Sequence, residues 1–238
     1  MRIQAVIFDW AGTVVDYGCH APVLVLEQIF AARGVTLRPS ESRHAMGLLK
    51  ADQIREILRL PRVKEAWGRE PSERDVQDLF QAFVPLQLDI IEEHSDVIAG
   101  VPELVEKLRL AGVRIGSTTG YTRAMIERVL PKAARQGYSP DCVVTPDDVG
   151  QGRPYPWMIF ENMKRLGVYP PGVLVKVGDT ASDILEGRNA GAIAIGVCES
   201  SSDAVLGGPE HARRMLTEAG ADRVIGIAPD LWDILGDL

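Results

Sequence analysis

Val6-Ile7-Phe8-Asp9-Trp10-Ala11-Gly12-Thr13 is the stretch on which the reading of the fold turns, because a short apolar run ends there abruptly in an acid. Ile3 to Phe8 is apolar, rich in β-branched residues and only a few residues long, which predicts a buried parallel strand. Asp9 falls where that strand emerges, and Gly12 with Thr13 permits a tight turn after it. A carboxylate at the carboxyl end of a parallel strand stands where open α/β sheets place their ligands. By itself such an acid is as well explained as a turn former or a helix cap. The rest of the chain has to decide.

Downstream, strands and helices alternate. The patterns predict strands over Val113–Ser117, Cys142–Thr145, Val173–Val177 and Ala192–Val197. Between and around them they predict helices over Val101–Ala111, Thr122–Leu130, Tyr155–Leu166 and Asp183–Ala190. The tail reads as a final αβα at the sheet's edge, with helices near Glu210–Ala219 and Asp230–Leu235. Such alternation argues for a parallel sheet covered on both faces. Residues 20–99 carry no strand signal. Helices are expected there over Ala21–Arg33, from Pro39 to near Gly47, over Lys50–Leu60, and over Val76–Glu93 behind a Ser72/Asp75 capping box, with a bend at Pro85. The expected fold is therefore α/β: a Rossmann-like doubly wound parallel sheet core, residues 1–19 and 100–238, with an inserted all-helical cap domain, residues 20–99.

The totals narrow the function. With 238 residues, 46% hydrophobic and 25% charged, the chain has ample material for a core. A formal net charge of −7 argues against nucleic acid held by bulk electrostatics. The start shows no basic-then-apolar signal region, and no stretch is long enough to span a bilayer, so a cytoplasmic protein with no membrane partner is expected. Cys19, Cys142 and Cys198 are odd in number and far apart, which suits a reducing compartment and no zinc site.

Four strand ends present reactive groups: Asp9, Thr119, the loop holding Arg153, and Asp179 with Asp183. In a parallel sheet these ends share one edge. Two or three acids around a hard cation make a magnesium site with open positions for a phosphate oxygen. Thr119 offers a hydroxyl and backbone N–H groups at a helix N-terminus, and Arg153 can clamp two phosphate oxygens. Asp9 can then attack phosphorus, because magnesium and Arg153 offset the repulsion between carboxylate and phosphoryl group. Taken singly, Asp179 and Asp183 could only cap a helix, Arg153 could be a solvated charge and Thr119 a turn hydroxyl.

Asp9-Trp-Ala-Gly-Thr13, Ser117-Thr-Thr119-Gly, Arg153-Pro and Gly178-Asp179-Thr-Ala-Ser-Asp183 resemble the four motifs of the haloacid dehalogenase superfamily, in order. The helical insertion is similar to that superfamily's small cap. The closer resemblance is to its phosphonoacetaldehyde hydrolase (phosphonatase) branch, carried by Phe8 to Cys19, Met46-Gly-Leu-Leu-Lys50, Gly116 to Thr122 and Gly152 to Trp157. It covers nearly the whole chain and weakens after about Ser200.

Phosphatases of the superfamily carry a second Asp two residues after the nucleophile, to protonate the leaving oxygen. Here that position is Ala11, and general acid help is worth roughly 10²–10⁴. The resemblance implies a different leaving group, the carbon of a C–P bond, whose electrons an iminium on Lys50 accepts. Lys50 suits this: the positive end of a helix and desolvation under the cap both favour a neutral amine. The resemblance further implies magnesium held by Asp9, the Ala11 carbonyl and Asp179 with Asp183 close by. It puts Met46 and Gly47 on the cap side of the pocket, Cys19 and Tyr121 near the substrate, and a homodimer through the cap. The plainer readings are a small buried hydrophobe for Cys19, core packing for Met46 and a sheet-edge ring for Tyr121.

One departure stands out. The family's histidine three residues after the lysine, a proton shuttle, is here Gln53, which cannot trade protons near neutral pH. Water, His20 or His44 would have to take that role. The implied activity is hydrolysis of phosphonoacetaldehyde to acetaldehyde and phosphate, in the use of 2-aminoethylphosphonate. The alternatives are a phosphatase or C–P hydrolase on a related substrate, and a phosphonate-binding protein without catalysis.

Overall fold

The apolar run before Asp9 does form a strand. In the computed structural model, which describes residues 3–238, strand β1 spans Ala5–Phe8 with all four side chains buried. Strands β2 (Arg114–Thr118) and β4 (Leu174–Gly178) flank it in parallel, with Ser117 and Val177 in register with Phe8. Strands β3 (Cys142–Val144), β5 (Ile193–Val197) and β6 (Arg223–Ile225) complete a parallel sheet of order β3-β2-β1-β4-β5-β6.

Alternation along β1 explains the two-sided burial. Val6 and Phe8 join Val175, Val177, Ile195 and Val197 under helices α6 (Val101–Leu110) and α7 (Arg123–Arg135). Ala5 and Ile7 point the other way, toward Met158 and Ile159 of α9 (Trp157–Leu166). On that side Ile184 of α10 (Ala181–Ala190) and Leu216 of α12 (Pro209–Glu218) pack on Ala194. A sheet covered on both faces needs strands that are apolar throughout, which is why they read as continuous runs. The single turns α8 (Pro146–Val149) and α11 (Ala204–Gly207) lie in loops, and α13 (Leu231–Ile234) follows the edge strand.

Between β1 and β2 lie α1 (His20–Ala31), α2 (Pro39–Ser42), α3 (Lys50–Arg59), α4 (Pro61–Trp67) and α5 (Glu73–Ile90). Leu26, Phe30, Ile54, Leu58, Leu79 and Phe83 form their interior, continuous with the apolar layer on the Val6/Phe8 face. Helix α4 is absent from the sequence reading. Leu60 is held extended (ψ 130°) by the proline that follows, and Pro61 then opens a new helix. The Ser72/Asp75 capping box forms as expected.

Two helix ends fall elsewhere than the sequence pattern put them. Helix α5 continues through Pro85 and stops at Ile90, short of Glu93. Helix α7 runs through Pro131 to Arg135, beyond the expected stop at Leu130, because Val129 and Ala133 keep one face buried on both sides of the proline. The two strands of chain that enter and leave the helical insertion pair at its base. Ile98 N–H donates to the Val14 carbonyl at 2.9 Å, and Val15 bridges Val97 in antiparallel fashion. Among the described residues no helix is long and apolar enough to cross a membrane.

Candidate active site

The strand order reverses between β1 and β4, and open α/β sheets bind ligands in the crevice at such a point. Asp9 follows β1 and Asp179 follows β4, so both carboxylates arrive there from neighbouring strands. Asp183 comes from the first turn of α10, one turn after Thr180, whose hydroxyl donates to Asp183 Oδ2 at 2.5 Å. Carboxylate oxygens of Asp9, Asp179 and Asp183 all lie within 4.8 Å of one another.

Charge is arranged unevenly among these acids. Arg153 Nη2 donates to Asp9 Oδ1 at 2.7 Å, and its Nη1 lies 3.0 Å from Asp183 Oδ1. Lys176, wholly buried in β4, brings its amine to 2.7 Å from the same Asp183 oxygen and 3.5 Å from Glu186. Asp179 receives only neutral donors: the Ser202 N–H at 3.2 Å, the Cys19 thiol at 3.5 Å and the Thr13 hydroxyl at 3.5 Å. Burial first, then Asp9 and Asp183, pushes the Asp179 carboxyl well above its usual range. Burial also raises Asp9, against the pull of Arg153. Burial acts on Asp183 in the same sense, but Arg153 and Lys176 outweigh it and hold that group low.

The four carboxylates Asp9, Asp179, Asp183 and Glu186 face two cations, Arg153 and Lys176, all buried. Two negative charges are in excess, and Asp179 lacks a cationic partner among the described residues. Oxygen donors in this number, with that imbalance, fit a hard divalent cation.

Arg153 differs in detail from its expected role as a phosphate clamp. Its Nε donates to Glu186 at 2.9 Å, Nη2 also to Thr118 Oγ1 at 2.9 Å, and Nη1 to the Gly47 carbonyl at 3.4 Å. Every nitrogen of the guanidinium is committed to protein groups, so it acts here as a buried countercharge beside Asp9.

The helical insertion supplies the opposite wall. Lys50 is the first residue of α3 and only 2% exposed. Its amine donates to Gln53 Oε1 at 2.7 Å and touches Met46 Sδ at 3.7 Å. Burial brings Lys50 down to about 8, although Cys19 and Asp9 pull the other way. Thr119 Oγ1 accepts from the Tyr121 N–H at 3.0 Å, which leaves its own proton free to donate. Burial pushes the Cys19 thiol and the Tyr121 phenol well up, so both are neutral donors.

One cavity gathers the sequence-derived set. Asp9, Ala11, Cys19, Met46, Gly47, Lys50, Thr119, Tyr121, Arg153 and Asp179 line it, while Asp183 stands behind. Its free volume is about 20 Å³, room for about one water. His20 and His44 do not line it; the side chains of both belong to other clefts. Gly120 makes the close fit possible, since a Cβ there would fall 2.6 Å from the Leu48 carbonyl oxygen.

Several contributors escaped the sequence reading. Lys176 and Glu186 carry the countercharge network, and Thr118 joins them by donating to Glu186 at 2.9 Å. Arg43 reaches from the insertion to the Gly18 carbonyl at 2.6 Å and Ser202 Oγ at 2.8 Å, fixing the loop that holds Asp179. A lysine inside the otherwise apolar run Leu174-Val175-Lys176-Val177 was the one available signal.

Comparison with known proteins agrees with this geometry. A family model for haloacid dehalogenase-like hydrolases matches residues 3–191. A phosphonoacetaldehyde hydrolase of Bacillus cereus is 50% identical over 207 residues, covering 85% of this chain and 78% of that one. The crystal structure of a phosphonoacetaldehyde hydrolase like protein from Oleispira antarctica superposes with a TM-score of 0.94 at 34% identity, over 100% of this chain and 92% of that one. A β-phosphoglucomutase from Clostridium difficile, 17% identical with a TM-score of 0.76 over 99% and 96% of the two chains, shares the fold. The chain belongs to the haloacid dehalogenase-like hydrolases and, within them, to the phosphonoacetaldehyde hydrolase family.

Proposed function

We propose that this protein hydrolyses the C–P bond of phosphonoacetaldehyde, giving acetaldehyde and phosphate. The observation that carries the reading is a single cavity lined by the carboxylate of Asp9 and a buried amine, Lys50, with the methyl of Ala11 where a leaving-group acid would stand. A carboxylate beside a cation is equipped to take a phosphoryl group, and an amine with its pKa lowered by burial is equipped to condense with an aldehyde.

The neutral Lys50 amine adds to the aldehyde carbon, and with one proton taken back from solvent, the one lost when the ammonium became the amine, loss of water leaves an iminium. Asp9 then attacks phosphorus. The C–P bonding pair moves onto carbon and is taken up by the iminium as an enamine, while the phosphoryl group passes to Asp9. Protonation of the enamine carbon and hydrolysis of the imine return Lys50, and water cleaves the aspartyl phosphate. Asp9, the Ala11 carbonyl and Asp179, with Asp183 beside them, would hold magnesium, which supplies positive charge against the phosphoryl oxygens. Thr119 donates to a phosphoryl oxygen, Arg153 keeps Asp9 ionised, and Tyr121, Cys19, Met46 and Gly47 enclose the aldehyde end.

In this reading residues 20–99 act as a cap over a core of 1–19 and 100–238, and the protein is a cytoplasmic homodimer, as the family resemblance implies. Light scattering of the purified chain checks the dimer. The test of the activity is borohydride trapping of phosphonoacetaldehyde followed by peptide mass mapping, run alongside phosphate release with magnesium. A reduced adduct on Lys50 together with phosphate is expected. Phosphate without an adduct would favour a phosphatase route instead, and neither product would exclude this substrate.

A further inference from the structure

Gln53 sits one turn after Lys50 on α3 and is wholly buried. Its amide is keyed in one orientation. Nε2 donates to the His44 carbonyl at 3.1 Å, and a backbone carbonyl can only accept. That turns Oε1 toward Lys50, whose Nζ donates to it at 2.7 Å. Met46 Sδ touches both nitrogens, at 3.7 Å from Lys50 Nζ and 3.6 Å from Gln53 Nε2, and closes the remaining side.

From this arrangement we propose that Gln53 is a positioning residue for imine formation: its fixed carbonyl oxygen holds one N–H of Lys50, so the nitrogen lone pair faces the cavity, and no side chain shuttles a proton at this position. The proposal rests on the reading that Lys50 forms the imine. The condensation tolerates the loss of a shuttle because its protons balance internally. Starting from the ammonium form, R–NH₃⁺ and the aldehyde give R–NH⁺=CH–R′ and water. A new N–C bond forms, the carbonyl C–O bond breaks, and the two protons lost by nitrogen are the two gained by oxygen. No outside acid or base is consumed, so a water beside the amine suffices for relay.

Cys19 and Tyr121 are pushed well above their usual values by burial, Arg153 stays charged, and Asp9 and Asp179 are acids already raised by burial. The histidines lie in other clefts. The pH dependence of imine trapping in the wild type rises along a limb centred near 8 as Lys50 loses its proton.

The experiment compares wild type, Gln53→Met, Gln53→Glu and Gln53→His, reading the rate of borohydride trapping of phosphonoacetaldehyde on Lys50 against pH, and the inhibition constant of inorganic phosphate. Gln53→Met removes the acceptor and is expected to slow trapping about 10- to 100-fold, as misorientation does, with phosphate inhibition unchanged. Gln53→Glu keeps the acceptor and adds a charge, so its limb shifts up by about one pH unit or more and its trapping rate recovers at high pH. This variant carries the test should Gln53→Met not fold. Gln53→His introduces an ionisation that glutamine lacks. Unchanged trapping in Gln53→Met or an unmoved limb in Gln53→Glu would each overturn the proposal alone. No adduct on wild-type Lys50 would overturn the imine reading itself.

Discussion

Replacing Lys50 with methionine should abolish activity and, near neutral pH, make the protein more stable. The amine is 2% exposed, and burial lowers it from 10.5 to about 8. A lysine whose folded pKa lies below its unfolded value opposes folding wherever it must be charged. The gap between the two values corresponds to about 3 kcal/mol of opposition below pH 8. That opposition fades as pH rises from 8 to 10.5, because the folded protein then holds fewer protons than the unfolded chain. Methionine fills similar space but orphans Gln53 Oε1, which costs about 1–3 kcal/mol. The balance at pH 7 runs from about zero to a gain of about 2 kcal/mol, up to roughly 8 °C in Tm for a chain of this size.

Urea unfolding of both proteins at a series of pH values, without magnesium or substrate, reads this directly. Taking the difference cancels the other lysines and tyrosines that titrate over the same range. The variant's advantage should shrink above pH 8 and reverse between about pH 8 and 10, where the remaining opposition no longer exceeds the cost of the orphaned amide. A variant less stable than wild type at pH 7, or a difference flat from pH 8 to 10.5, would refute the claim that this amine is held near neutrality by burial.

Three further outcomes follow from the site. Lys176→Met leaves Asp183 and Glu186 short of a buried cation and should destabilise the fold by about 3–5 kcal/mol in urea unfolding. Magnesium at about 100 times its dissociation constant should raise unfolding free energy by about 2.7 kcal/mol in calorimetry; a chelator should abolish phosphate release, and Asp179→Asn should remove the magnesium stabilisation. Gly120→Ala sets a methyl against the Leu48 and Gly47 carbonyl oxygens, 2.6 and 3.0 Å from the ideal Cβ. It should lower kcat/KM about 10-fold or more and raise the pH of the activity limb, with little change in unfolding.

What the sequence made legible was whatever topology alone can position. A parallel sheet brings all its strand ends to one edge, so Asp9, Thr119 and Asp179 could be gathered without knowing any packing. The lining of one cavity by these residues with Lys50, Arg153, Cys19 and Tyr121 follows the resemblance that named them. The countercharges were hidden for a physical reason. Lys176 lies inside a strand and Glu186 inside a helix, and their meaning depends on which side chains face each other across the sheet. Arg153 illustrates the same limit, since its charge was legible but its commitment to Glu186, Thr118 and Asp9 was not. The helix stop expected before Pro131 failed because a buried face that continues past it to Ala133 outweighs a single lost hydrogen bond.

Lys50's reactivity and the seating of the helical insertion are one property. The segment Met46–Lys50 touches the sheet edge at several points: Arg153 donates to the Gly47 carbonyl, Ser182 to the Met46 carbonyl at 3.4 Å, and Gly120 packs under Leu48. Arg43 adds a buried anchor from the same segment's approach to Gly18 and Ser202. These contacts shut water away from the amine, and desolvation is the first cause of its lowered pKa. With the insertion seated, Met46, Gly47 and Lys50 form one wall of the cavity that holds Asp9. Lifted, Lys50 meets water and tends toward an ordinary, charged lysine; seated, it turns toward the neutral amine that the aldehyde needs. The seating of the insertion and the lowered pKa of Lys50 therefore go together, and a solvent-exposed Lys50 would be both open to aldehydes and poor at attacking them.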